Sequence, residues 1–233
     1  MSERVVEDRI DLDRPVATEA QQIEQEAPVA TGGDPAMLGL PTFIAGSIAL
    51  GLALTGYLPA AGAAGILPIV IMSNGLGLLI ATIWAIRLGQ SAVACIFGTF
   101  TGFWLSYAVL LLGLGHNWFG LTPAASASPA VQTAAAGVIK DTVSTFLLSW
   151  VIVVAVLTLV MLRLPLAFTV LLALVDVALI LVLLGNVNTN ANLSKAGGWV
   201  VFAFAALGVY LFAGAASVAT GGKPFGLGKP IAS

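Results

Sequence analysis

Charge is what this sequence has least of. Asp, Glu, Lys and Arg together make up 9% of its 233 residues, far below the roughly 25% of soluble domains. Apolar residues reach 59%, more than a soluble chain of this length can hide, so part of its solvent must be lipid. Cysteine is nearly missing. Cys95 stands alone inside an apolar run, which excludes an internal disulfide framework and a cysteine-built metal cluster. The one histidine, His116, lies beside Asn117 and Trp118 at the end of a run, where it reads as an interfacial anchor rather than a base. No Gly-x-Ser-x-Gly elbow, phosphate loop or metal-spaced His/Cys/carboxylate set occurs. Lysine is missing from the apolar runs, which excludes a retinal-type Schiff base. Neither an enzyme nor a cofactor or metal is expected, and without a basic patch neither is a nucleic-acid partner.

What charge there is lies unevenly. Residues 1–33 hold eight acids against Arg4, Arg9 and Arg14, leaving three acids and six Lys or Arg for the other 200 residues. This opening stretch has neither a secretory core nor the acid-poor character of a transit peptide. It reads as a disordered cytoplasmic tail.

Six apolar runs then reach the roughly 20 residues that span a bilayer: 40–57, 66–87, 92–115, 143–162, 165–185 and 198–220. They are continuous rather than alternating, which predicts helices and not strands. The segment 116–142 reads as an irregular loop, and Asn186–Lys195 as a polar turn. The expected organisation is an acidic tail over 1–33, an all-α six-span membrane domain over 34–222 and a short basic tail over 223–233. With the N-terminus inside, that side collects seven Lys and Arg (Arg4, Arg9, Arg14, Arg87, Arg163, Lys223, Lys229) against Lys140 and Lys195 outside. Both termini are therefore expected in the cytoplasm.

At the junction of tail and first span stands Asp34-Pro35-Ala36-Met37-Leu38-Gly39-Leu40-Pro41-Thr42-Phe43. Asp34 can cap a helix that Pro35 begins. Small residues recur at every fourth position in the first three spans: Ala45, Ala49, Ala53; Ser73, Gly77, Ala81; Gly98, Gly102, Ser106. Such ladders let helices approach closely in lipid, either within the chain or against a second copy. Opposite the Gly98–Gly102–Ser106 stripe, Phe100, Phe103, Trp104 and Tyr107 share a face, fit for packing, for lipid contact or for narrowing a conduit. Asp176 is the one acid deep in a span. An ionised Asp there costs about 2.5–3.5 kcal/mol and must face protein or water. Either a structural bond to a neighbouring helix or a proton-linked position would serve.

The junction resembles the Asn-Pro-Ala-Pro-Leu-Gly-Leu-x-x-Phe signature of the acetate uptake transporter family, the succinate–acetate permeases, with Asp34 for the first Asn and Met37 for the second Pro. Asn74-Gly75, Ala81, Gly89, Phe103-Trp104-Leu105-Ser106, Gly185-Asn186, Gly198-Trp199 and Tyr210 extend the likeness over about 34–215. The resemblance implies a homo-hexamer of six-helix protomers in the plasma or inner membrane. Each protomer would carry acetate and other short-chain carboxylates, by a channel or proton-linked route. It implies a substrate path walled by Asp34, Pro35, Ala36, Leu38, Gly39, Leu40 and Phe43, narrowing at Phe43, Phe100 and Val175. Leu78 stands where the family commonly has Gln, and Ala85 where it often has a membrane-edge Glu, a proton-coupling role that Asp176 could take over. Two other functions fit the composition. One is a channel for ammonia, urea or water; the other is a membrane scaffold whose tail recruits a partner.

Overall fold

In a medium without hydrogen-bonding solvent each apolar run must satisfy its own backbone, which leaves the helix as the economical solution. The computed structural model describes residues 33–232, and the acidic tail and its expected disorder lie outside them. Six helices long and apolar enough to cross a membrane follow: α1 Ala36–Thr55, α2 Gly62–Arg87, α3 Ser91–Gly115, α4 Pro129–Arg163, α5 Leu166–Val187 and α6 Ala191–Ala219. No strand occurs among the described residues, and the all-α expectation is met. The last three residues of α4, Met161–Arg163, tighten into a 3-10 turn.

Three boundaries differ from the sequence reading. α4 is already helical at Pro129 rather than at 143. Ser128 caps it, its hydroxyl accepting from the Val131 amide, and Pro129 fits the first helical position. The helix thus extends over three turns past the apolar run, through a stretch whose alanines, Ala130 and Ala134 to Ala136, favour helix while its hydropathy is modest. The Asn-rich turn contracts to 188–190, because Asn190 caps α6 through the Asn192 amide. The expected C-terminal tail is a strap. Its Gly226 and Leu227 carbonyls accept from the Tyr210 hydroxyl at 2.8 Å and the Ala167 amide at 2.9 Å. The Ile231 and Ala232 amides both donate to the Leu162 carbonyl. These bonds stitch the end of α6 to the corner between α4 and α5.

Backbone packing forms an open chain of neighbours: α3 on α2, α2 on α1, α1 on α6, α6 on α5 and α5 on α4. The remaining seam, between α3 and α4, is closed chiefly by rings. Phe103 lies 5.5 Å from Trp150 and 6.1 Å from Phe146, and Tyr107 lies 6.2 Å from Phe146. Side chains can therefore stand in the middle of the bundle, walled by α1, α3, α5 and α6, while α2 supports α1 and α3 from behind.

The second span is not uniform. Ile69–Gly77 is π-helical and passes into α-helix at Leu78–Arg87. The wide turn carries Asn74, which is fully buried.

Candidate functional site

Two cavities lie along the bundle, and four helices line both, α6 through Leu211 in one and Val201 and Phe204 in the other. On α1 the lining residues are Ala36, Leu40 and Phe43, then Leu50 and Leu54. On α3 they are Val93, Ile96, Phe97 and Phe100, then Phe103, Trp104 and Tyr107. On α5 they are Phe168, Leu171 and Leu172, then Val175, Ala178, Leu179 and Val182. Spacings of three and four hold each set to one helical face. From Ala36 to Leu54 the lined face rises about 27 Å at 1.5 Å per residue, close to the roughly 30 Å of a hydrocarbon core.

The Asp34-side cavity measures about 240 Å³ and the aromatic cavity, beyond it, about 70 Å³. Phe43 and Phe100 line both and so form the wall between them. Their rings meet edge to face at 5.1 Å. Val175 joins them in the aromatic cavity, so the three expected constriction residues are brought together at one level. A fourth stands there that sequence reasoning missed: Phe204 of α6 lies 5.7 Å from Phe43 and is 4% exposed. The 3/4/3 spacing of Val201, Phe204, Gly208 and Leu211 was its signal, since those four are buried.

The signature residues divide into two groups. Asp34, Ala36, Leu40 and Phe43 line the Asp34-side cavity, whereas Pro35, Leu38 and Gly39 line neither cavity and hold the helix in place. The Asp34 carboxylate accepts the Ala36 amide at 2.8 Å, as expected of a cap. Pro35 is buried. A Cβ at Gly39 would fall on the Phe97 ring, so only glycine lets α1 and α3 approach here.

Phe43 is held from behind as well. Its carbonyl accepts the Ser47 hydroxyl at 2.7 Å and the Asn74 carboxamide at 3.4 Å. Asn74 comes this close because a Cβ at Gly46 would occupy the carboxamide's place. Its Oδ1 is buried with no partner.

Asp176 follows Val175, about 100° round the helix, and lines neither cavity. It turns to α4, where the Thr158 hydroxyl meets its Oδ2 at 2.7 Å, while Oδ1 is buried without a partner. Thr169, one face with it, donates to the Met161 carbonyl at the end of α4. The small-residue stripe on α3 also faces more than one neighbour. A Cβ at Gly98 would meet Thr82 of α2 at 3.3 Å, and one at Gly102 would meet Trp150 of α4 at 3.3 Å. Ser106 donates back to its own helix at Gly102. Leu78 and Ala85 are fully buried on α2, away from both cavities. His116 stacks on the exposed Trp118 with ring centroids 6.0 Å apart. Among the described residues Asp34 is the only charged side chain on either cavity, and no His, Cys or carboxylate cluster has the grouping of a metal site.

Residues 17–225 match the GPR1/FUN34/yaaH family. Among solved structures the chain is similar to the bacterial acetate channel SatP, with a TM-score of 0.68 and 23% identity. The match covers 84% of this chain and 99% of that one, a likeness of fold. No curated protein matches it.

Proposed function

The chain belongs to the GPR1/FUN34/yaaH family, the acetate uptake transporter family that its motifs resemble, and we propose that it carries acetate and similar short-chain carboxylic acids across a membrane. One observation carries this reading: two apolar cavities meet end to end at a ring of Phe43, Phe100 and Val175 inside a six-helix bundle. The family's signature residue and its two partners supply that ring, and the domain around it has the fold of an acetate channel.

The ring decides the ionic form that passes. A carboxylic acid with a pKa near 4.3, as for a Glu side chain, is ionised at pH 7, and protonating it costs about 3.7 kcal/mol at roughly 1.36 kcal/mol per pH unit. Moving the bare carboxylate into an apolar surround costs several times more. The acid therefore crosses the ring neutral, which makes net transport proton-linked without a titrating side chain at the ring. Arg87, Arg163, Lys223 and Lys229 belong to the Asp34 end of the bundle, and Lys140 and Lys195 to the other, so the Asp34 end is the cytoplasmic one. The assembly is the homo-hexamer that the resemblance implies, with lipid around it. Native mass spectrometry in detergent checks the number of copies.

Acetate influx into proteoliposomes, compared with empty liposomes, tests the function. Saturable influx above the empty control supports it; influx equal to the control removes it. A second reading, a channel for a small neutral solute, is favoured by the lack of any charged side chain on the aromatic cavity. Faster swelling in urea than in acetate would select it.

A further inference from the structure

Fourteen side chains line the aromatic cavity, and only two of them, Trp104 and Tyr107, carry a hydrogen-bonding group. They lie one turn apart on α3 with ring centroids 6.4 Å apart and planes at 74°. Trp104 is 1% exposed and its Nε1 has no acceptor. The Tyr107 hydroxyl, too, makes no hydrogen bond among the described residues, although its ring packs on Phe103, Trp104 and Phe146.

A buried donor left unpaired costs about 1–3 kcal/mol, and most such groups in native proteins have a partner. An indole nitrogen can only donate. Its missing partner must therefore bring an acceptor into a cavity that is otherwise hydrocarbon. Phenylalanine at position 104 would fill much the same space without the orphaned donor. A tyrosine hydroxyl can donate to a carboxylate or accept from a carboxylic acid, so the pair suits a carboxyl group in either protonation state. The surrounding Leu and Val side chains suit a short alkyl tail, and the volume of about 70 Å³ holds roughly five water-sized probes.

Building on the transport reading above, we propose that Trp104 and Tyr107 form a carboxyl-binding subsite next to the Phe43–Phe100 constriction. An acid entering from outside meets this chamber before the ring, and as it sheds water there it gains two hydrogen bonds. The subsite would favour a carboxyl group, whose two oxygens on one carbon can meet both groups at once, over neutral solutes without that paired geometry.

The test uses the full chain in proteoliposomes, with initial acetate influx measured against concentration and swelling in glycerol measured on the same vesicles. Trp104→Phe and Tyr107→Phe are each expected to raise the KM for acetate about two- to ten-fold, the worth of one net hydrogen bond. Glycerol permeation should not change. Tyr107→Phe removes a single oxygen and decides the matter by itself if Trp104→Phe fails to fold. An unaltered KM in a variant whose parent carries acetate overturns the subsite and leaves the transport reading standing. Equal losses for acetate and glycerol overturn it too, since that pattern is one of packing. Parent influx no greater than that of empty liposomes removes the transport reading and the subsite together.

Discussion

The two cavities share four helices and one aromatic wall, yet their polar groups are of opposite kind. The Asp34-side cavity has an acceptor at its mouth, a carboxylate capping α1. The aromatic cavity has only the Trp104 indole and the Tyr107 phenol. Their sizes differ as well, about 240 against 70 Å³. Asp34 is exposed at the wider mouth, where solvent can screen a like charge. A narrow hydrocarbon chamber cannot tolerate an unpaired charge and offers donors instead. On the proposed transport reading the contrast divides the tasks: the outer chamber would set chemical class, the ring size, and the Asp34 mouth the charge state that is released.

Removing the wall should break the contrast most. Phe43→Ala merges the cavities, and we expect flux of longer acids such as hexanoate to rise at least ten-fold relative to acetate. The truncation should also lower stability by about 3–5 kcal/mol, read from detergent melting. An unchanged chain-length profile would remove Phe43 from the path. Asn74→Ala comes next, because it leaves the ring but releases its support. Losing the carboxamide donor to the Phe43 carbonyl should cost about 1–3 kcal/mol. It should loosen the same chain-length profile by less than Phe43→Ala does. A selectivity as tight as the parent's would show that Asn74 serves packing alone.

Asp34→Asn alters only the mouth. Removing one exposed like charge is worth about 1 kcal/mol at 4 Å in water, so acetate influx at low salt should rise by less than ten-fold. The gain should fade at 1 M salt, where the Debye length shrinks to about 3 Å. A gain that ignores salt would point to shape rather than charge. The smallest effect is expected at Asp176→Asn. Its carboxylate pairs with Thr158 behind the path, so the pH profile of acetate influx should keep its shape. A flattened profile would return Asp176 to the proton route.

The six spans and the ring were legible for different reasons. A span is a local sum of hydropathy, and each of the six runs was long enough to declare itself. Phe43, Phe100 and Val175 came from a resemblance of short motifs, and the 3.6-residue period then placed their neighbours on the same faces. The 3/4/3 spacing of Val201, Phe204, Gly208 and Leu211 marks Phe204 as inward-facing, but its place beside Phe43 depends on how α6 is rotated against α1, a tertiary fact that local spacing does not encode. The π turn at Ile69–Gly77 lacks a local composition signal, and what is distinctive about it is the reach of Asn74 to another helix. The strap at 223–232 is held by backbone bonds to Leu162 and Ala167 and by Tyr210, partners far away along the chain. α4 was read too short because its first three turns are helical by propensity rather than by hydropathy.

The central claim is that a short-chain acid passes the ring in neutral form. Its most direct test follows acetate and proton entry together in proteoliposomes over pH 5 to 8, with empty liposomes subtracted at each pH to remove free acid crossing lipid. The account predicts a saturable excess influx, one proton entering per acetate and a rate rising as pH falls. Acetate entering with no accompanying proton, at a rate indifferent to pH, would contradict it.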